Sequence, residues 1–99
     1  MRVDFCQSGG VAGLLRGCDL DSNSLSPEDA AELGRLVAAS GISASGTWVS
    51  KTQRDRLNFE LTIEDGGKIT TVAYDETTLP ESARGLLAFL RKRSQPRPL

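Results

Sequence analysis

Residues 57–64 read Leu-Asn-Phe-Glu-Leu-Thr-Ile-Glu and carry the clearest strand pattern in the chain. Apolar side chains alternate with polar ones along the whole run, which is typical of a strand with one buried and one solvated face. Residues 65–68 follow with two glycines and predict a hairpin turn. Residues 69–74 are rich in β-branched side chains and predict the returning strand. The second half of the chain is therefore expected to contain a β-hairpin.

A second hairpin is predicted at the amino terminus. The first residues alternate with period two, with apolar side chains at Val3 and Phe5, and this pattern predicts a strand. Residues 8–13 read Ser-Gly-Gly-Val-Ala-Gly, and their three glycines allow a sharp turn because glycine tolerates positive φ. Residues 14–20 alternate less regularly and predict the returning strand.

One helix is predicted after each hairpin. The first begins at Ser26-Pro27, since serine can accept hydrogen bonds from free backbone N–H groups and proline fits the first helical position. Its apolar residues recur at helical spacing, and Gly41 is placed to end it. We expect Gly34, in its middle, to allow close packing on the sheet. The second helix follows residues 78–81, Thr-Leu-Pro-Glu, which have capping-box spacing.

The order of these elements predicts an α+β fold. Two β-hairpins and two helices in the order ββα-ββα favour one antiparallel sheet with both helices on one face. Residues 42–56 form the longest stretch without a regular pattern, and such stretches in compact domains are often functional or disordered. We expect a single domain over residues 1–92 and a basic, disordered C-terminal tail over residues 93–99.

Length and charge narrow the function classes. Ninety-nine residues, of which 38% are hydrophobic, suffice for one small core, and this favours a binding surface over a large enclosed active site. The formal net charge is −1. The last nine residues contain four basic residues and no acidic one, so the rest of the chain is net acidic, and this argues against nucleic-acid binding. No apolar run approaches the ~18 residues of a membrane span, and the N-terminus is unlike a signal peptide. We therefore expect no membrane association and a cytoplasmic location.

The absence of histidine argues against an enzyme, because histidine is the commonest general base and the commonest metal ligand. Cys6 and Cys18 cannot by themselves fill a tetrahedral metal site, and in a reducing compartment they are expected to be free thiols. A small redox or metal protein would require these two thiols to be in contact. We expect no catalytic residue, no metal and no cofactor.

Two acidic clusters have structural interpretations. Asp19, Asp21 and Asn23 have the beginning of a calcium-loop pattern but lack its glycine and its final glutamate. The pair Asp75-Glu76 lies where a strand leads towards a helix, and such acids favour turns. Neither cluster is expected to do acid–base chemistry.

Two features are candidates for binding a partner. The first is the glycine-rich stretch, whose residues are Ser8, Gly9, Gly10, Val11, Ala12 and Gly13. It is either a hairpin loop that needs glycine geometry or a recognition loop on a rigid scaffold. The second is Trp48, the only tryptophan, which either pins the 42–56 stretch to the body or is an exposed anchor for a partner.

Together these segments resemble the emfourin family. The most specific similarity is the Ser-Gly-Gly-x-Ala-Gly motif of residues 8–13, which follows Met1-Arg2-Val3 and precedes Leu14. Other similar segments spread the resemblance over most of residues 1–92; they are Leu20-Asp21, Leu33-xx-Leu36-Val37, Phe59-Glu60-Leu61-Thr62-Ile63, Leu79-Pro80-Glu81 and Leu86-Leu87-xx-Leu90. Val11 departs from the family, whose members usually carry an aromatic side chain there. The 42–56 stretch falls where the family varies, so Trp48 inherits no role.

The resemblance implies a function. Emfourins are small bacterial proteins that inhibit thermolysin-like zinc metalloproteases, including the intracellular protealysin type. These proteases hold zinc by two histidines and a glutamate and leave one position for water. An inhibitor of such an enzyme either ligates that open position or covers the active-site cleft. Because the chain has no histidine and its thiols lie in predicted strands, we expect the Ser8–Gly13 stretch, alone or with the 42–56 stretch, to cover the cleft. The expected partner is a thermolysin-like metalloprotease and the free chain is expected to be a monomer; the alternative is a non-enzymatic interaction module with an unrelated partner.

Overall fold

The structure is a computed structural model that describes residues 1–9, 15–50 and 56–97. Its fold class is α+β, as the sequence predicts. In chain order the elements are β1 (Arg2–Gly9), β2 (Arg16–Asp21), α1 (Pro27–Ser40), β3 (Gly46–Trp48), β4 (Leu57–Asp65), β5 (Lys68–Asp75), α2 (Arg84–Lys92) and β6 (Gln95–Pro96). Short 3-10 turns at Ser22–Ser24 and Glu81–Ala83 precede the two helices.

The strands form one six-stranded sheet in the order β3-β5-β4-β1-β2-β6. The two predicted hairpins, β1–β2 and β4–β5, are both present and antiparallel. They join through an antiparallel pairing of β1 with β4, which places these two strands in the middle of the sheet. The sheet is mixed because β3 runs parallel to β5.

The structure adds two strands, β3 and β6, to the predicted ββα-ββα order. The sheet is not purely antiparallel, contrary to the prediction, because β3 pairs in parallel with β5. β3 lies inside the irregular 42–56 stretch, and β6 lies inside the 93–99 tail that was expected to be disordered. Both strands are very short, so neither shows a readable alternation. Each is held by a neighbour distant in sequence: β3 by β5 and β6 by β2. Local pattern does not report such long-range pairing.

The core lies between one face of the sheet and the two helices. It contains buried side chains of β1, β4 and β5 and of both helices; the fully buried members include Val3, Phe5, Leu33, Leu61, Leu86 and Leu90. Burying each leucine or phenylalanine contributes roughly 1.5–3 kcal/mol relative to exposure. The opposite face, here called the open face, carries the alternate residues of the same strands, among them Asp4, Cys6, Ser8 and Glu60.

The start and end of α1 match their predictions. The Ser26 hydroxyl accepts a hydrogen bond from the Asp29 N–H at 3.1 Å, and Gly41 adopts φ 73° just beyond the helix. The expected packing at Gly34 is wrong, because a Cβ added there would meet no atom within 4 Å. Close helix packing occurs instead at Gly85 of α2, where a Cβ would lie 3.1 Å from the Leu36 side chain.

The capping box predicted before α2 is not formed. α2 begins after Ala83 and no side chain caps it. The Thr78 hydroxyl instead donates to the backbone oxygen of Trp48 and accepts from the Asp75 N–H at 2.9 Å. A turn contact with β3 and β5 therefore replaces the local helix cap at this threonine.

Candidate functional site

Three strand ends meet at one end of the sheet, here called the loop end (Ser8, Asn58 and Asp75). Ser8 pairs with Asn58, and Asn58 pairs with Asp75, so the three residues form a row across β1, β4 and β5. The glycine-rich stretch leaves β1 at this end. Because β3 runs parallel to β5, Trp48 also lies at this end, beside Tyr74. Ser8, the first residue of the glycine-rich stretch, and Trp48 are therefore at the same end of the sheet.

The beginning of the glycine-rich stretch is described through Ser8 and Gly9. Ser8 is half-buried and shares the open face with Cys6. Gly9 has φ 90°, and a Cβ there would lie 2.4 Å from the Arg56 backbone oxygen. Gly9 is thus required by the backbone itself, as expected of a hairpin loop that needs glycine geometry. The rest of the predicted site, Gly10, Val11, Ala12 and Gly13, lies outside the described residues.

Trp48 packs against the sheet and is also partly exposed. Its ring stacks on Tyr74 with centroids 5.3 Å apart and planes inclined by 18°. The indole also lies over Gly46, where an added Cβ would be 2.4 Å from the ring. Nevertheless 48% of the residue remains exposed. The tryptophan therefore fixes β3 to the sheet and still presents aromatic surface.

Trp48 and Ser8 lie at the same end but on opposite faces of the sheet. Trp48 stacks on Tyr74, whose buried side chain belongs to the core, whereas Ser8 is on the open face. Three strand spacings separate β3 from β1, which is roughly 14 Å. The structure therefore does not combine them into one contact point.

Val49 is also at the loop end, and the sequence did not predict it as a binding residue. It is 38% exposed and lines a shallow hollow of about 390 Å³ together with Ser8 and Cys6 on the open face. The strand alternation that sends Trp48 to the core face sends its neighbour to the open face. The position of Val49 next to Trp48 in the sequence therefore predicts which face it occupies only once β3 is known to be a strand.

Asp75 connects the segments of the loop end. Its buried carboxylate accepts hydrogen bonds from the Ser50 N–H at 2.6 Å and from the Thr77 N–H at 2.8 Å. It also accepts from the Thr77 hydroxyl at 2.5 Å and from the Thr78 N–H at 2.9 Å. The Arg56 guanidinium is 4.0 Å away. These donors hold the pKa of Asp75 far below its ordinary value, and the Thr77 hydroxyl has the largest effect. The predicted turn role of this acid is confirmed.

The two cysteines do not meet. Cys6 is on the open face, whereas Cys18 is buried in the core and its Sγ lies 3.5 Å from the Leu90 carbonyl oxygen. Both are free thiols, and burial raises the pKa of Cys18. The contact that a redox or metal site would need is contradicted, because the side chains lie on opposite faces of the sheet.

The partial calcium-loop pattern is used for structure. Asp19 forms a two-bond ion pair with Arg2 on the open face, with N–O distances of 2.9 Å and 2.5 Å. The Asp21 carboxylate accepts from the Asn23 N–H at 2.9 Å and caps the 3-10 turn. Within residues 1–9, 15–50 and 56–97, no three acidic or thiol side chains gather as a metal site would require.

Comparison with known proteins gives one match. The family model of Emfourin matches residues 5–91. The chain belongs to the emfourin family. The emfourin match begins inside β1, ends inside α2 and leaves β6 outside it. No curated protein and no solved structure matches the chain. No helix in the part of the chain that the structure describes is long and apolar enough to cross a membrane.

Proposed function

We propose that this protein inhibits a thermolysin-like zinc metalloprotease by covering the active-site cleft with its loop end. The observation that carries the proposal is the emfourin match over residues 5–91. The inhibitor role is the one that this family implies, and it requires neither catalysis nor a cofactor. The proposed contact residues are Ser8, Gly9, Gly10, Val11, Ala12, Gly13 and Trp48, to which the geometry adds Val49.

The loop end suits occlusion because it is rigidly backed. β1 has a paired strand on each side, so the backbone that leads into the glycine-rich stretch is held along its whole length. Asp75 holds the segment after Trp48 through the Ser50 N–H. Binding through such a surface costs less conformational entropy than binding through a free loop that has to be ordered on contact. A standard interface needs roughly 800 Å² on each partner, which calls for contacts from more than one segment of this end.

Covering the cleft fits this chain better than ligating the zinc. The sequence has no histidine. Cys18 is buried, and Cys6 is half-buried on the sheet, three residues before the strand ends at Gly9. Neither thiol therefore extends from the surface far enough to ligate the zinc in a protease cleft. The proposed inhibitor therefore acts by excluding substrate.

The direct test is a titration of a thermolysin-like protease from the same organism against the intact protein, with cleavage of a small peptide as the readout. Stoichiometric loss of activity that excess substrate relieves is the expected result. Full protease activity in the presence of excess protein would contradict the proposal and favour the interaction module with an unrelated partner.

Matched variants locate the contact surface. Val49→Asp places a charge at the loop end, and Ile69→Asp places the same charge on the same face beside the distant hairpin turn. Ile69 is 62% exposed and Val49 is 38% exposed, so both changes are at the surface. We expect weaker inhibition from the first variant and unchanged inhibition from the second. Gly9 is unsuitable for this purpose, because any side chain there would collide with the Arg56 backbone.

A further inference from the structure

The last described residues form a strap across the edge of the sheet, here called the C-terminal strap (Ser94–Arg97). Within it β6 pairs with the first residues of β2, so that Gln95 lies opposite Gly17. The Arg97 N–H donates to the Leu15 carbonyl oxygen at 2.9 Å. The strap therefore covers the backbone edge of β2 where that strand begins, directly after the glycine-rich stretch.

The side chain of Arg97 extends the strap over a second strand. It crosses Gly17 on the open face and its guanidinium reaches the Asp4 carboxylate of β1 at 2.8 Å. A Cβ on Gly17 would lie 2.8 Å from the guanidinium carbon and 2.2 Å from the Phe5 backbone oxygen. Because glycine has no side chain, the Arg97 side chain can lie directly over Gly17. Arg97 ties β6, β2 and β1 together at one point.

The strap is also fixed at its root on the helices. The Ser94 hydroxyl donates to the Leu90 carbonyl oxygen at 2.8 Å. The guanidinium of Arg93 lies 3.7 Å from the centre of the Phe89 ring and 3.3 Å from the Asp29 carboxylate. A cation over an aromatic face adds to the ion pair. The strap therefore joins the helix layer to the edge of the sheet.

We propose that the C-terminal strap positions the start of β2 for protease binding, with Arg97 as the positioning residue. This inference rests on the proposed inhibitor function. Without β6, Leu15–Gly17 would form an unpaired sheet edge next to the glycine-rich stretch. Ordering such an edge on binding costs entropy, and the strap removes that cost beforehand. Since the strap lies beyond the emfourin match, this device belongs to the part of the chain that the family model does not cover.

The test compares four variants of the full protein. Arg97→Ala removes the reach to Asp4, Arg97→Lys keeps the charge, and a truncation after Ser94 removes β6. Lys92→Ala is the control, because it removes one positive charge from an exposed position on α2. We expect inhibition to weaken about five-fold for Arg97→Ala and about ten-fold for the truncation, as the loss of preorganisation predicts. Arg97→Lys should retain most of the inhibition and Lys92→Ala all of it.

Hydrogen exchange separates positioning from stability. We expect the amides of Leu15–Gly17 to exchange faster in Arg97→Ala and in the truncated chain, while the urea midpoint stays near that of the intact protein. Unchanged inhibition by the truncated chain would overturn the proposal, whatever the exchange rates. If the intact protein itself fails to inhibit, the function is wrong and the positioning role falls with it. Exchange at Leu15–Gly17 still reports in that case whether the strap orders β2.

Discussion

The Ser50 backbone N–H donates to the Asp75 carboxylate at 2.6 Å, and this bond ties the segment after β3 to the end of β5. Asp75 is 1% exposed and accepts from Thr77 and Thr78 as well. A buried carboxylate with several donors is stabilised as the anion. Asp75 therefore helps to hold Trp48 and Val49 at the loop end, together with the pairing of β3 with β5 and the stack on Tyr74.

We expect Asp75→Asn to lower the unfolding midpoint in urea. The asparagine keeps the shape, but its NH₂ group replaces an acceptor and faces the donors that the carboxylate served, which leaves buried N–H groups unpaired. Asp65→Asn, an exposed change at the last residue of β4, is the control and should leave the midpoint within error. Fluorescence of the sole tryptophan reports the local effect. Equal midpoints for the two variants would contradict the role given to Asp75.

The pKa of Asp75 also predicts a pH dependence. Because the folded pKa lies below the ordinary value of 3.8, the stabilisation by this acid is fully present above pH 3.8. It is lost as the pH falls from there towards the lower folded pKa. Urea unfolding at pH 7, 4, 3 and 2 should show stability falling below pH 4 more steeply for the intact protein than for Asp75→Asn. Parallel curves would show that other acids account for the loss.

Trp48→Ala is expected to affect both inhibition and stability. Loss of the stack on Tyr74 and of the half-buried ring should reduce the free energy of unfolding by about 1–2 kcal/mol. Inhibition should weaken about ten-fold or more if the exposed part of the ring is an anchor, as exposed tryptophans in interfaces often are. Trp48→Phe keeps an aromatic stack and separates the two effects. Ile69→Ala, an exposed apolar change at the other end, should leave the inhibition constant unchanged.

Substitution by alanine at Gly34 and at Gly9 should change the free energy of unfolding in opposite directions. At Gly34 an added Cβ meets nothing within 4 Å, so Gly34→Ala should stabilise the protein by about 0.5–1 kcal/mol through helix propensity. At Gly9 the Cβ would meet the Arg56 backbone oxygen and φ is 90°, so Gly9→Ala should destabilise by about 1–3 kcal/mol. Urea denaturation measures both. A destabilising Gly34→Ala would mean that α1 needs the glycine for a contact outside the described residues.

The two thiols should react at different rates. Cys6 is half-buried on the open face, whereas Cys18 is buried and its raised pKa lowers the thiolate fraction. Titration with a chromogenic disulfide should give one fast thiol in the native protein and two in denaturant. Cys6→Ser should abolish the fast phase, and Cys18→Ser should leave it. Two equally fast native thiols would contradict the placement of Cys18 in the core.

The regular elements of the fold were predictable because their signals are local. Alternation in residues 57–64 identifies β4, and Ser26 with Pro27 identifies the start of α1. The two added strands have no such local signal. β3 and β6 exist only because β5 and β2 offer free edges, and an edge is a property of the assembled sheet. Thr78 similarly gives up its predicted capping role for a turn contact with Asp75 and for the backbone oxygen of Trp48, which is 30 residues away in the sequence.

The fold class, the two hairpins, both helices and the family follow from the amino-acid sequence, because periodicity, glycines and the Ser-Gly-Gly-x-Ala-Gly motif can be read without any distant contact. The tertiary structure places Trp48 and Ser8 on opposite faces of the sheet and brings Val49 to the same hollow as Ser8. It also decided that Arg97 crosses Gly17 to Asp4. These relationships depend on strand order and register, and a change of one residue in register moves a side chain to the other face.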